Sequence, residues 1–269
     1  MGCSCGKDKT VEEKIEKNLK KIKNINMCDF FIKSNNFSRA CSKIREATYG
    51  IKALSQISSN QFNFSTGTAF MIAPGILITA AHLCHIENNP TRPRHSNFEV
   101  IRAPDVGKKM EKGTFIAEDI ERDLALLRID DPRSAKCVEF SLEKISVGTP
   151  VGSVGFPLAY IDVATGIFHL VERFQGAYIS SFHSIITPSG KELNSYETDA
   201  LMYRGSSGCP GFLFNGKVFG MHNASIVDQP RQVNEQEIRQ EIRLAISLWI
   251  PAADIVNFAK SNNIELKYD

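Results

Sequence analysis

Apolar residues Val11, Ile15, Leu19, Ile22 and Ile25 recur every three or four positions with charges between them, the period of one amphipathic helix. The stretch from residue 28 to 63 is mixed and rich in Ser and Asn, and reads as a linker with a short helix over Ser42–Leu54. From Phe64 the texture changes. Short runs such as TGTAFMIA, ILITAA, NFEVIRA, GTFIAED, LALLRI, TPVGSVGF, FHLVERFQGAYIS, GFLF, KVFGMH and AISLWI are separated by Gly, Pro and Asn, the spacing of an all-β barrel or sandwich. The clearest hairpin is Gly211–Phe214, Asn215-Gly216, Lys217–Gly220, where Asn-Gly predicts a two-residue type I′ turn. Helical signals follow at Asn234–Leu244, with Glu235 and Arg239 one turn apart, and at Pro251–Lys260, with proline at the start.

These patterns divide the chain into a helical extension and linker over residues 1–55 and a β domain over 56–269. Charge follows the same division. Residues 1–55 hold 12 Lys or Arg against 6 Asp or Glu, so the net +2 of the whole chain combines a basic extension with a mildly acidic remainder. Its lysines alternate with Glu12, Glu13 and Glu16 and carry no aromatic ladder, so residues 1–35 suggest a solvated face or a protein-docking element rather than a nucleic-acid binder. No run approaches the ~18 apolar residues of a membrane span. The start MGCSCGKDK has no apolar signal core, and the seven cysteines (3, 5, 28, 41, 84, 137 and 209) include no CxxC pair. We therefore expect a reducing cytoplasm, no disulfide framework, no metal and no cofactor.

Three segments carry candidate chemistry. Residues 67–86, GTAFMIAPGILITAAHLCHI, are two β runs joined by Pro-Gly and ending in small residues before His82. In ERDLALLRID, Asp123 precedes an apolar strand. In TDALMYRGSSGCPGFLFNGKVFGMH, Gly205, Gly208 and Pro210 surround Ser207. A serine hydroxyl becomes a nucleophile when an imidazole takes its proton, and a carboxylate must hold that imidazole in one tautomer. His82, Asp123 and Ser207, in that chain order, fit the three roles.

In these boxes the chain resembles the chymotrypsin-like serine proteases, and among them the high-temperature-requirement type and other bacterial trypsin-like peptidases. Thr79–His82 is similar to the family's TAAH box, Asp123–Leu127 to DLALL, and Thr198–Gly208 to TDA…RGxSG. The carboxyl-terminal ISLWIPAADIVNFAK resembles the family's closing strand and helix. The resemblance implies two six-stranded antiparallel β-barrels with a triad in the crevice between them and an oxyanion hole made by the N–H groups of Gly205 and Ser207. It implies a serine endopeptidase acting on protein or peptide substrates through an acyl-enzyme. A protease-fold binding module that works through partner recognition is the alternative, and no peptide-recognition module is expected after Asp269.

Departures from the family pattern carry information as well. Cys209 stands where Gly or Ser is common, and reads as a small buried residue. Ser206 occupies the position of the Asp through which zymogens are activated, so no activation by clipping is expected. By resemblance the specificity pocket draws on Leu201 at its floor, Met202 and Arg204, and the Leu201 floor disfavours cleavage after Arg or Lys. His222, in a GxH pattern fifteen residues after Ser207, is similar to the residue that contacts Glu or Gln in glutamyl endopeptidases and viral chymotrypsin-like cysteine proteases. That reading predicts cleavage after Glu or Gln, with Glu favoured if His222 is protonated. The apolar Leu201 and Met202 would also suit small aliphatic side chains.

Overall fold

The computed structural model describes residues 37–59, 61–130, 136–162, 165, 167–186, 190–228 and 242–268. The amphipathic helix expected over Val11–Ile25, and most of the one expected over Asn234–Leu244, lie outside them. Residues 242–244 belong to a strand.

The first barrel is built from β1 (Thr48–Ser58), β2 (Gln61–Ala73), β3 (Ile76–Ala80), β4 (Asn97–Arg102), β5 (Glu111–Asp119) and β6 (Leu124–Ile129), in the order β1-β2-β3-β6-β5-β4, with β4 closing back on β1. The Pro74-Gly75 turn allows the tight β2–β3 return because Gly75 takes φ +74°. The runs Gly67–Ala73 and Leu124–Leu127 are buried without a break, as expected of strands covered on both faces.

The second barrel uses β8 (Pro150–Gly155), β11 (Arg173–Ile186), β12 (Glu192–Thr198), β13 (Pro210–Phe212), β14 (Lys217–Asp228) and β15 (Ile242–Pro251). Its order is β13-β8-β11-β12-β15-β14, and the β13–β14 pairing joins the two ends of that row. The short β7 (Glu139–Phe140) adds to β14 in parallel, and β9 (Tyr160–Ile161) with β10 (Phe168–His169) forms a separate hairpin. Ile145, Val151, Ile179, Tyr196, Met202, Cys209, Phe219 and Trp249 fill its core. The two-barrel architecture implied by the sequence is the one observed.

Three local expectations change. Helix α1 covers residues 37–45 and gives way to strand at Thr48, so the helix expected over Ser42–Leu54 is half strand and the 55/56 boundary falls inside β1. Helix α1 is also part of the core. Ala40 and Ile44 are buried, Phe37 packs among Phe174, Phe212 and Phe214 on the second barrel, and Arg45 grips Glu172 through two N–H groups at 2.7 and 2.8 Å. The 213–217 turn is wider than type I′. Gly216 alone takes positive φ, its N–H bonds to Leu213 O, and the Asn215 side chain accepts the Lys217 N–H instead of placing its own backbone at positive φ. At the carboxyl end, Ala252–Ser261 forms α2 after Pro251, as expected, and buries Ile255, Val256 and Ala259 in the larger core. No helix among the described residues is long and apolar enough to cross a membrane.

His95 ties β1 to β2 from inside the first barrel, its ring lying 3.0 Å from Ser65 Oγ and 3.2 Å from Ser55 Oγ. Desolvation lowers its pKa from 6.5 to about 4. The unfolded chain therefore binds a proton that the folded chain refuses. Stability should be full above about pH 6.5 and fall as pH drops towards 4. Melting temperatures across this range should show that slope, and His95→Asn, which keeps polar contact without titrating, should flatten it. Identical slopes in the two proteins would remove His95 from the account.

Candidate active site

A cleft of about 620 Å³ opens between the barrels, with His82, Gly205 and Ser207 among its lining residues. The first barrel delivers His82 where β3 ends: Ala80 is extended, and a single 3₁₀ turn over Ala81–Cys84 follows. Small residues permit this bend, since Ala80 and Ala81 are both completely buried. Asp123 opens β6 from the neighbouring position with φ +56°, a left-handed conformation that Asp tolerates better than most residues.

Asp123 holds the Ala81–His82 segment by three bonds, two of them to His82. Its backbone carbonyl accepts the Ala81 N–H at 3.1 Å, Oδ1 accepts the His82 backbone N–H at 2.8 Å, and Oδ2 accepts the His82 Nδ1–H at 2.8 Å. This fixes both the tautomer and the plane of the ring, and leaves Nε2 as the nitrogen available to the cleft. Just beyond, His85 lies between the Arg92 carbonyl (2.7 Å) and the Glu118 carboxylate (2.8 Å), which anchors the 3₁₀ segment on the far side.

The second barrel supplies the loop from Leu201 to Pro210. Gly205 takes φ +91° and Gly208 φ +82°, and a Cβ on either would collide with a backbone carbonyl, that of Phe156 or Thr68. Bond partners alternate along this loop. The N–H groups of Ser206, Gly208 and Cys209 go to Tyr203 O, His222 O and Ser206 O. Among the described residues, those of Gly205 and Ser207 take no protein acceptor. The Arg204 carbonyl is turned away onto the Leu158 N–H at 2.6 Å, so across the planar trans peptide the Gly205 N–H faces the opposite way. Two N–H donors without a protein acceptor, those of Gly205 and of Ser207 itself, thus stand close together on this loop.

Thr68, which no sequence motif signals, joins this loop to the first barrel. Its N–H donates to Ser207 O (2.9 Å), its Oγ1 donates to Gly205 O (2.8 Å) and accepts the Phe156 N–H (3.0 Å), and its own carbonyl accepts Thr79 Oγ1 (2.7 Å).

Among the specificity residues, Met202, Arg204 and His222 line the cleft, together with Asn223, Ala224 and Ser225 of β14. Leu201 is not among the lining residues, and its carbonyl accepts Gln175 Nε2 at 2.7 Å from β11. The His222 ring lies edge-on to Trp249 at 5.3 Å; backbone groups of Ser206 and Ala224 adjoin it, but neither ring nitrogen makes a well-aligned hydrogen bond. Burial lowers its pKa from 6.5 to about 3. Without a bound carboxylate to offset the loss of water, the ring is therefore neutral near neutral pH, which lends no support to the preference for Glu expected if His222 is protonated. Ser206 Oγ and Asn223 Oδ1 are likewise buried without partners. Cys209 is buried and its thiol is pushed far up by desolvation, which keeps it neutral and unreactive.

Comparison with known proteins agrees with this fold. The chain is 30% identical over 166 residues to a probable periplasmic serine endoprotease, DegP-like, of Rhizobium meliloti (strain 1021), covering 59% of this chain and 27% of the relative. It is 26% identical over 182 residues to the protein of the same description from Rickettsia prowazekii (strain Madrid E), covering 64% and 30%. The chain thus spans less than a third of the length of either relative. Both are described as periplasmic, which gives no support to the cytoplasmic setting expected from the cysteine pattern. The crystal structure of the Rv3671c protease of M. tuberculosis in its active form shares the fold with TM-score 0.61 at 18% identity, over 85% of this chain and 86% of that one; its inactive form gives 0.58. A model of the trypsin-like peptidase domain matches residues 67–221, more than half of the sequence and all three boxes, and the chain belongs to that family.

Proposed function

We propose that the protein is a serine endopeptidase that cleaves peptide bonds through Ser207, His82 and Asp123. The observation that carries this reading is the double grip of one Asp123 carboxylate on the His82 backbone and ring, in a cleft that also holds Ser207 and two unspent N–H groups. Ser207 Oγ attacks the substrate carbonyl while His82 Nε2 takes its proton. The new oxyanion accepts from the Gly205 and Ser207 N–H groups. His82 then passes the proton to the departing amine, and water enters by the reverse sequence to release the acyl group. Asp123 keeps the ring in the required tautomer throughout.

A fluorophosphonate probe should label the protein at Ser207, and Ser207→Ala should abolish labelling. Asp123→Asn should keep the fold and lower turnover by about 10⁴-fold, because the ring is then held in the wrong tautomer. Labelling that survives Ser207→Ala, or maps to Cys209, would overturn the assignment, and a loss below about tenfold would take Asp123 out of it.

For specificity we propose cleavage after Gln in preference to Glu, with His222 reading the side chain. A neutral imidazole offers one donor and one acceptor, and the buried Asn223 Oδ1 offers a second acceptor, a set that suits an uncharged amide. A buried carboxylate would need a proton brought to His222 against desolvation. Profiling of a mixed peptide library at pH 7.5 to 8 should show Gln ahead of Glu by about tenfold or more, and Glu should gain as pH falls. His222→Ala should erase the discrimination while Ser207 stays reactive. A preference for Val or Ala at this position in the wild type would reduce His222 to a packing residue.

A further inference from the structure

The turn that carries Asp123 is held by charge from three elements. Asp119, the last residue of β5, accepts the Arg122 backbone N–H at 3.0 Å and Arg122 Nη1 at 3.1 Å, while the Asp123 N–H closes the turn on Ile120 O at 3.2 Å. Arg122 Nε reaches on to Asp254 Oδ1 in the first turn of α2, at 3.2 Å. From the other barrel, Lys191, in the connection one residue before β12, donates to both Asp119 oxygens, at 3.1 and 3.3 Å, and to Glu121 at 3.0 Å. The side chains of Asp119, Arg122 and Asp254 are only 20%, 23% and 14% exposed, so these pairs are less screened than ordinary surface bridges. Burial pushes the Asp119 carboxyl up, yet the Arg122 and Lys191 donors outweigh it and leave the group below its ordinary range.

This cluster lies immediately before Asp123 in the chain and touches neither His82 nor the cleft lining. Its consequence runs through the backbone. Asp123 stays at φ +56° only while the turn from Asp119 is closed, and both carboxylate bonds to His82 depend on that backbone.

We propose that Arg122 and Lys191 are positioning residues for the triad: by closing the Asp119–Asp123 turn against α2 and the second-barrel hairpin, they set the orientation of the carboxylate that holds His82. The inference rests on the triad reading above. It makes the placement of a first-barrel residue depend on a contact from the second barrel.

The test uses the full chain, with competent sites counted by end-point fluorophosphonate titration so that turnover is per active site. Arg122→Gln should lower kcat by about tenfold and Lys191→Met by about threefold, with KM within about twofold, since a misplaced catalytic group slows chemistry more than binding. The double variant should be no slower than Arg122→Gln alone, because the first loss already opens the turn. Lys191→Arg should keep kcat within about twofold, since it preserves charge and reach. About 1 M NaCl should slow the wild type, slow Lys191→Met less, and leave Arg122→Gln nearly unaffected. Variants that melt earlier yet keep wild-type kcat per titrated site would show a merely structural network and overturn the proposal, as would a loss confined to KM. Should Ser207→Ala still label, the triad reading itself is the one that fails; wild-type kcat in the clamp variants, with Asp123→Asn inactive, rejects the clamp alone.

Discussion

Thr68 is the residue on which the rest of the site depends. Its backbone and side chain form one short bridge from β2 of the first barrel to the Gly205–Ser207 segment of the second. The two carbonyls it holds, Gly205 O and Ser207 O, face away from the cleft. The intervening glycine positions can accept this geometry only because they lack a Cβ: Gly205 backs onto Phe156 O and Gly208 onto Thr68 O. The Gly205 and Ser207 segment is thus tied to the barrel that carries His82, and neither barrel contains the proposed site alone. Thr68 is fully buried, which strengthens each of these bonds and makes any unmade one costly.

The cleft holds two histidines in opposite environments. His82 keeps a side chain 21% exposed and a carboxylate partner, as suits the proton-transfer role proposed for it. His222 is buried against Trp249 with no carboxylate beside it, so it stays neutral and offers fixed hydrogen-bonding capacity. Burial and the presence or absence of a carboxylate partner together set the two rings apart. The same logic removes Cys209 as a rival nucleophile, since its thiol sits in the apolar core of the second barrel.

Much of this was legible in the sequence, and the parts that were not share a cause. Strand runs, the Pro-Gly turn, the His82, Asp123 and Ser207 boxes and the Pro251-started helix all rest on local pattern, and local pattern places them correctly. The extent of β1 was not legible, because its strand residues follow closely on a helix and its bounds are set by pairing with β2, from Thr48 opposite Phe70 to Ser58 opposite Gln61, and with β4. Leu201 was expected at the pocket floor by resemblance, but it is not among the residues that line the cleft, and its carbonyl is bonded to Gln175 of β11. Thr68, Arg122 and Lys191 act through partners far away in sequence, and a threonine in a strand or a lysine in a hairpin carries no signal of that.

The central claim is that the inter-barrel bonds of Thr68 hold the oxyanion site in register with His82. Thr68→Val removes Oγ1 while keeping the shape of a β-branched side chain, so it isolates those bonds from packing. Turnover per titrated site should fall by about a hundredfold, with KM little changed and the Trp249 environment intact by near-ultraviolet circular dichroism. A folded Thr68→Val enzyme within about twofold of wild-type turnover would contradict the account.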